Sequence, residues 1–186
     1  KLSRCLFHPA YTFRKKLSHT ADSQDQRHRM TPASRPLLAL HLDGTPDYVI
    51  PGLIQTDPVV RAFYVESMER SWEAYRTLLS QGVSADDAAY VLPNALAIRF
   101  TESADLLNLH HKLKARLCYN SQEEIWRASH DEALQISRVN PTIGKYLLPP
   151  CGLRALARVS PICPEGDRYC GVPVWRLPIE KYQRVI

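Results

Sequence analysis

The sequence DPVVRAFYVESMERSWEAYRTLLSQG, residues 57–82, carries the clearest structural pattern in the chain. Asp57 is a preferred helix N-cap, Pro58 is favoured in a first helical turn, and Gly82 ends the pattern. The spacing predicts one long amphipathic helix whose apolar stripe packs against the core, as aromatic stripes at this spacing usually do. The apolar residues recur every three or four positions: Val60, Phe63, Tyr64, Met68, Trp72, Tyr75 and Leu79.

Weaker patterns lie on both sides of this helix. Residues 94–102 are compatible with either a strand or a helix. Leu106, Leu109, Leu113 and Leu117 form one row and predict a helix that faces the core. In chain order, the other predicted elements are a strand within 1–19, an apolar run at 37–42, a turn at 43–46, an extended piece at 48–51, a helix from Ser84 to Pro93, and helices at about 103–118 and 121–138.

Size and composition predict a folded protein. The 186 residues, of which 45% are hydrophobic and 23% charged, are enough for one domain with a substantial core. The composition changes at Pro149, after which prolines are frequent. We therefore divide the chain into a main domain, residues 1–148, and a proline-rich arm, residues 149–186. Such an arm is expected to lie over its own surface or over a neighbouring subunit.

The charge favours anionic partners. A net charge of +5 and a pI near 9.0 suit nucleotides, phosphorylated cofactors or polynucleotides. We expect no polynucleotide partner, because the chain has no recognised nucleic-acid-binding module. No apolar run is long enough to span a bilayer, and Lys1 to Ala10 lacks the apolar core of a signal peptide. We therefore expect no membrane partner and a cytoplasmic location.

The cysteines predict reduced thiols. Five cysteines are an odd number, which does not fit a framework of paired disulfides. A zinc site built from Cys151, Cys163 and Cys170 is conceivable, but the gaps are long and no C-x-x-C pair is present. We therefore favour separate reduced thiols and expect no metal site.

A dense basic cluster occupies residues 24–30, QDQRHRM. Arg27 and Arg29 flank His28, and two guanidinium groups beside an imidazole suit phosphate oxygens or a carbonyl-rich heterocycle. The prolines that follow, Pro32 and Pro36, keep the backbone extended or turned, so we place the cluster on a loop. It is either a clamp for an anion or cofactor, or a solvated basic turn.

A second candidate group lies on the helix predicted at 103–118. His110 and His111 are adjacent, so they point in different directions and do not form a two-ligand metal face. Arg116 lies a little over one turn beyond His111, and we expect both on roughly one side. With Gln122 nearby, this helix edge could hold a heterocyclic base or an isoalloxazine ring. The chain lacks G-x-G-x-x-G, Walker, G-x-S-x-G and H-E-x-x-H motifs.

Taken in order, these blocks resemble the flavin-dependent thymidylate synthases (ThyX), over about residues 8–138. The blocks that carry the resemblance are Arg27-His28-Arg29, Tyr48-Val49-Ile50-Pro51, Tyr75-Arg76-Thr77-Leu78-Leu79 before Gly82-Val83, Ala89-Tyr90-Val91-Leu92-Pro93, Leu106-Leu107 to His111 and Arg116, and Ser121-Gln122-Glu123-Glu124-Ile125.

The resemblance implies an α+β fold, with a central, mostly antiparallel sheet packed with long helices, and a homotetramer whose FAD and nucleotide sites combine several chains. It also implies that FAD takes a methylene group from methylenetetrahydrofolate and passes it to C5 of a uracil nucleotide, with NADPH as reductant. In such chemistry the cofactor carries the carbon, and the protein positions and polarises the substrate.

The resemblance also assigns roles to individual residues. Arg27, His28 and Arg29 would hold FAD, and Gln24 and Arg27 would lie near the nucleotide. His111 and Asp105 fall at positions that contact the flavin in the family. Arg116 matches the arginine that polarises the pyrimidine, and a fixed cation beside developing negative charge is an effective catalytic device.

The sequence departs from the family at the nucleotide phosphate. The family motif reads R-H-R-x-x-S-x-N-x-x-S-x-R-Y, but here Leu37 and Ala39 replace the last serine and arginine, and Arg35 stands at a glutamate position. Ala89 replaces a second phosphate-binding arginine, and Asp105 and Leu107 stand at two FAD positions. Ser34-Arg35 could supply a replacement phosphate grip, or it could be an exposed polar pair.

The leading hypothesis is an FAD-dependent methylase that acts on C5 of dUMP or UMP. The alternative is a catalytically degenerate subunit that binds flavin, or has a structural role, without turnover. Loss of two phosphate-binding arginines favours that alternative, because each charged contact of this kind contributes about 1.5–3 kcal/mol.

Overall fold

The computed structural model describes residues 2–184 and has an α+β fold, as expected. Three strands, β1 (Ala10–Ser18), β2 (Ala33–Ser34) and β3 (Ala97–Asp105), form an antiparallel sheet in the order β1-β3-β2. The α-helices are α1 (His19–Asp25), α2 (Leu38–His41), α3 (Gly52–Gln55), α4 (Pro58–Ser80), α5 (Ala85–Ala88), α6 (Leu106–Arg116), α7 (Glu123–Val139), α8 (Pro141–Gly144) and α9 (Pro150–Leu156). Short 3₁₀-helices cover Leu2–Phe7, Ala89–Val91, Gly166–Arg168, Val174–Arg176 and Ile179–Lys181.

The chain forms two compact units, which we describe separately. Unit 1 comprises the described residues up to Phe13, His28–Pro32, and those from Glu102 onward. Unit 2 comprises Arg14–Arg27 and Ala33–Thr101. No helix among the described residues has the length and apolar character needed to cross a membrane.

Helix α4, with 23 residues, is the longest helix of unit 2 among the described residues. The Asp57 side chain accepts hydrogen bonds from the backbone N–H groups of Val59 and Val60, at 2.8 and 3.1 Å, so the predicted cap is confirmed. The middle of the apolar stripe is buried as predicted and packs with Leu96, but its first turns are exposed. Phe63 is 71% exposed and Val60 45%, so the prediction that the whole stripe meets the core is wrong. A 23-residue helix is about 35 Å long, and its buried stripe residues, Met68, Trp72 and Tyr75, lie in its second half.

Several boundaries differ from the predictions. Residues 97–105 form β3, so the following helix begins at Leu106 and not at 103. The helix predicted from Ser84 to Pro93 is only α5 and one 3₁₀ turn, although Ser84 caps it as expected. The apolar run at 37–42 contains the short helix α2. The basic cluster is only partly a loop, because Gln24 and Asp25 belong to α1.

The core of unit 1 forms between α6, α7 and the arm. The predicted leucine row of α6 is buried throughout, and Trp126 and Ile136 of α7 pack against it. Val174 and Tyr182 of the arm belong to the same apolar cluster. The arm therefore lies over its own unit, which is one of the two placements expected from its composition.

Candidate functional site

The basic cluster forms a tight turn after α1. The backbone N–H of Arg27 donates to the carbonyl of Gln24 at 3.2 Å, which continues the last turn of the helix. The carbonyl of His28 accepts from both the N–H and the hydroxyl of Thr31, at 3.0 and 2.8 Å. This arrangement leaves the side chains of Arg27 and Arg29 exposed and that of His28 half-buried. Two cations thus flank an imidazole on a compact turn, as the sequence predicted.

A buried ion pair in unit 2 anchors this turn. The ammonium group of Lys15 lies 2.5 Å from a carboxylate oxygen of Asp25, and both side chains are at most 5% exposed. Lys15 is on β1 and Asp25 closes α1, two residues before Arg27. The pair therefore ties the start of the basic turn to the sheet. The sequence patterns above do not predict this pair, although an acidic residue within a basic cluster and a lysine on the inward side of an alternating strand are visible signals of it.

In unit 1, the imidazole rings of His28 and His111 meet edge to face. Their centroids lie 6.1 Å apart with an interplanar angle of 73°. The structure thus brings together two of the positions assigned to the flavin. His111 is exposed on α6 and Arg116 is half-buried at its last turn. Five residues of α-helix turn through about 140°, so the two side chains do not share one side of α6 as expected.

Asp105 has a structural role at the start of α6. Its carboxylate accepts from the backbone N–H of Asn108 at 3.0 Å and from the Asn108 side-chain amide at 2.7 Å. It is therefore the N-cap that sets where α6 begins, and so where His111 and Arg116 lie along it. These two bonds occupy both carboxylate oxygens.

Arg35 is already paired within unit 2. Its Nε lies 2.8 and 2.9 Å from the two carboxylate oxygens of Asp22, and a terminal nitrogen lies 2.7 Å from one of them. Asp22 is 2% exposed, and the guanidinium also stacks on Phe100 at 4.5 Å from the ring centroid. A charge engaged in this way is a poorer phosphate ligand than the sequence suggested. Ser34, its neighbour in β2, is exposed.

An open groove of about 580 Å³ lies beside Ser34 and is lined by further cations. Arg14, Lys16 and Arg99 line it. Asp47 accepts hydrogen bonds from Lys16, at 2.7 Å, and from Arg99. Burial acts to raise the pKa of Asp47, but the bonds from Arg99 and Lys16 outweigh it and lower the pKa. The groove therefore has a cationic surface, in which the ionised carboxylate of Asp47 pairs with both Lys16 and Arg99.

A second buried ionic group, in unit 1, supports α6. Lys112 is fully buried, with its ammonium 2.5 Å from Glu102 on β3 and 3.3 Å from Glu132 on α7. The sequence patterns above do not predict this group. Its signal was a lysine between the inward-facing Leu109 and Leu113, and a glutamate on the inward side of an alternating strand.

Comparison with known proteins identifies the family. The family model for thymidylate synthase complementing protein matches residues 2–142, which include the basic turn and all of α6. The flavin-dependent thymidylate synthase of Geobacter sulfurreducens is 33% identical over 171 residues, covering 89% of this chain and 70% of that protein. The enzymes of the same name from Nitratidesulfovibrio vulgaris and Clostridium tetani are 32% and 27% identical, and each aligns with 88% of this chain and about 70% of its own length.

These matches agree with the resemblance drawn from the sequence, and they extend past its limit at residue 138. The family model alone spans well over half of the chain. The chain belongs to the thymidylate synthase complementing protein family.

Proposed function

We propose that this protein is a flavin-dependent thymidylate synthase that transfers a one-carbon unit from methylenetetrahydrofolate to C5 of a uracil nucleotide, dUMP or UMP, with NADPH as reductant. The observation that carries the proposal is the family match over residues 2–142, which takes in Arg27-His28-Arg29 and Arg116 together. The relatives' shared name, flavin-dependent thymidylate synthase, supports the same reaction.

The side chains of the basic turn fit FAD in their chemistry. The exposed guanidinium groups of Arg27 and Arg29 suit pyrophosphate oxygens, because each offers a planar fork of donors. The paired rings of His28 and His111 offer donors and apolar edges to an isoalloxazine. Bound FAD would supply the redox chemistry and carry the one-carbon unit. The protein's own part is to bind and orient the reactants and to exclude water.

Arg116 would polarise the pyrimidine. A guanidinium that donates to the N3 edge and a carbonyl oxygen of uracil draws electron density from the ring and stabilises charge that develops during attack from C5. Its place at the end of α6, whose start is set by Asp105 and whose middle is held by Lys112, gives it a fixed support. Preorganised cations of this kind act without reorganisation at the moment of reaction.

The nucleotide phosphate needs a ligand other than Arg35. Because Arg35 is paired with Asp22 and Arg99 with Asp47, we assign the phosphate to Ser34 and Arg14, which line the same groove. Gln24 and Arg27 would lie near the nucleotide, as the resemblance implies. We further propose that the active form is a cytoplasmic homotetramer with sites shared between chains.

A second candidate, a catalytically silent flavin-binding or structural subunit, is favoured by one observation. Arg35 is the nearest replacement for the family's missing phosphate ligands, and its charge is engaged by a buried carboxylate. Leu37, Ala39 and Ala89 supply no substitute charge. This candidate, which either binds flavin or has only a structural role, predicts no methylated product with either dUMP or UMP.

The distinguishing experiment combines a spectrum with an assay. The purified protein is scanned for flavin absorbance and is then incubated with FAD, NADPH, methylenetetrahydrofolate and either dUMP or UMP. A C5-methylated product supports the enzyme, whereas a yellow protein without turnover supports the silent subunit. A protein that stays colourless with added FAD and yields no product refutes the enzyme and supports a structural subunit that binds no flavin.

The first prediction concerns Arg116. Arg116→Ala should lower turnover about 100- to 1000-fold, because it removes a fixed cation from the reacting pyrimidine, and should leave flavin absorbance largely unchanged. The matched control is Arg127→Ala, since Arg127 is an exposed arginine on α7 that pairs only locally with Glu123. Equal losses in the two variants would refute the role of Arg116.

A further inference from the structure

The cationic groove of unit 2 lies on the exposed face of the sheet. Arg14 and Lys16 occupy exposed positions of β1 that alternate with buried residues. Arg99 and Thr101 occupy outward positions of β3, and Ser34 of β2 adds a second hydroxyl to that of Thr101. The groove therefore presents three exposed cations and two hydroxyls to an anion.

The three exposed cations differ in their partners. Among the described residues, Arg14 forms no ion pair, whereas Lys16 and Arg99 share the carboxylate of Asp47. The ammonium group of Lys16 lies 2.7 Å from one carboxylate oxygen, and Arg99 donates to the other. The groove thus has one free cationic position, and a second one that an anion of the protein itself already occupies.

The strand register explains why a carboxylate is needed at this second position. The N–H of His19 donates to the carbonyl of Leu96 at 2.8 Å. Counting three residues back along β1 and three forward along antiparallel β3 places Lys16 opposite Arg99. Like charges directly opposite each other destabilise a sheet, and the carboxylate of Asp47 offsets this repulsion.

The backbone fixes Asp47 beside β3. Its carbonyl accepts from the N–H of Ala97, the first residue of the strand, at 3.0 Å. The next residue, Tyr48, forms an antiparallel bridge with Leu96. Asp47 is therefore held at the level of Ala97, two residues before Arg99, by main-chain contacts as well as by its ion pairs.

A second phosphoryl group in this groove would approach the carboxylate of Asp47. The groove extends from Arg14 to Lys16 and Arg99, and positions two apart on a strand are separated by about 7 Å. Charges at this separation lie within the screening length of about 8 Å at physiological ionic strength, so they still interact. Asp47 has a lowered pKa and is ionised at neutral pH.

We propose that Asp47 determines specificity by limiting this groove to nucleotides with a single phosphate. The inference rests on the proposed function, in which Arg14 and Ser34 bind the nucleotide phosphate. A monophosphate at these two residues meets donors only. A diphosphate must either displace the carboxylate from its two cations or place two anions side by side, which is discrimination by repulsion of the wrong ligand.

The test compares dissociation constants of UMP and UDP by isothermal titration calorimetry, with dUMP and dUDP measured in the same way. The wild type should bind UMP at least as tightly as UDP, although UDP carries more negative charge. Asp47→Asn keeps an oxygen that can accept from Lys16 but removes the charge. It should shift the affinity ratio toward UDP about five- to tenfold, the effect expected for the loss of one partly exposed charge.

Two further variants serve as controls. Asp43→Asn removes the same charge from the preceding turn, where the carboxylate of Asp43 is exposed and accepts from the N–H of Thr45 at 2.9 Å. It should leave the ratio of UDP to UMP affinity unchanged. Arg14→Gln should weaken the binding of both nucleotides about tenfold, because both place a phosphate on this guanidinium.

Four results would overturn the role of Asp47. They are a wild type that binds UDP more tightly than UMP, an unchanged ratio in Asp47→Asn, an equal shift in Asp43→Asn, or unchanged affinities in Arg14→Gln. The first result needs no variant, so the proposal can be refuted even if Asp47→Asn fails to fold.

Inorganic phosphate and pyrophosphate separate this inference from the proposed function. If no uracil nucleotide binds but Asp47→Asn still shifts the affinity ratio toward pyrophosphate, the proposed function fails and the role of Asp47 stands. If UMP or dUMP is methylated while Asp47→Asn has the wild-type ratio of UDP to UMP affinity, the proposed function stands and this inference fails. Protein that binds none of these anions refutes the inference.

Discussion

At the residue scale, the stability of unit 1 depends strongly on its buried charged side chains. Lys112 has no exposed surface and lies against Glu102 and Glu132. Removing ions from water costs several kcal/mol each, and the attraction between them offsets that cost only while every partner is present. An intact group of this kind adds little to the free energy of unfolding, but the removal of one member lowers that free energy strongly.

We therefore predict that Lys112→Met lowers the free energy of unfolding by about 3–5 kcal/mol, because it leaves buried carboxylates without their cation. Urea denaturation followed by circular dichroism measures the change. Lys114→Met is the control, since Lys114 lies on the same helix and is only half-buried. A loss below about 1 kcal/mol for Lys112→Met would show that water reaches this group.

His110 makes stability depend on pH in a defined direction. Burial, and then the charge of Lys114, lower the pKa of His110. The folded state therefore holds a neutral imidazole, whereas the unfolded chain takes up a proton as the pH falls through about 6.5. Stability from this group is present above that pH and is lost below it.

The corresponding prediction compares unfolding midpoints in urea at about pH 7.5 and 5.5. The wild type should lose more stability over this interval than His110→Gln, which has no proton to gain. His8→Gln controls for removal of an exposed histidine. If His110→Gln shows the full wild-type pH dependence, another group is responsible.

At the element scale, helix ends determine where the candidate site residues lie. Asp105 starts α6 and Asp57 starts α4, each by accepting hydrogen bonds from the first free N–H groups of its helix. A cap satisfies donors that no residue within the helix can reach. Helix α6 carries His111 and Arg116, so its start sets their positions along the unit.

Asp57→Ala should lower the free energy of unfolding by about 1 kcal/mol, because the N–H groups of Val59 and Val60 lose their acceptor. Asp57→Asn, which retains a capping oxygen, should cost less than half as much. The measurement is again the urea midpoint. Equal effects of the two variants would show that the charge of Asp57, and not its hydrogen bonds, supports α4.

At the scale of the whole molecule, the exposed apolar start of α4 bears on assembly. Val59 is 78% exposed and Phe63 is 71% exposed, next to each other on one helix face. Large exposed apolar side chains in a group usually mark an interface. The proposed homotetramer gives this face a second copy of the chain as its partner.

Phe63→Glu should therefore reduce the mass measured by light scattering from four times that of the 21.2 kDa chain to a smaller value. It should also weaken flavin binding, because the proposed sites combine several chains. Ala74→Glu adds the same charge to an exposed position of α4 three turns away and should leave the tetramer intact. A tetramer that survives Phe63→Glu would exclude this face from the interface.

The sequence alone determined the features that depend on short-range periodicity and local chemistry. The long helix α4, the leucine row of α6 and the Arg27-His28-Arg29 turn were predicted because helical spacing and turn chemistry involve residues close in the chain. The ordered series of blocks was also sufficient to indicate the family, which the comparison confirmed.

Only the tertiary structure decided which distant groups meet. It resolved residues 97–105 as a strand, since strand pairing is a non-local contact. It paired Arg35 with Asp22, brought His28 to His111, and gathered four cysteines that the sequence presented as separate. Such contacts depend on how whole elements pack, and that packing is set by burial of many side chains together and by no single local pattern.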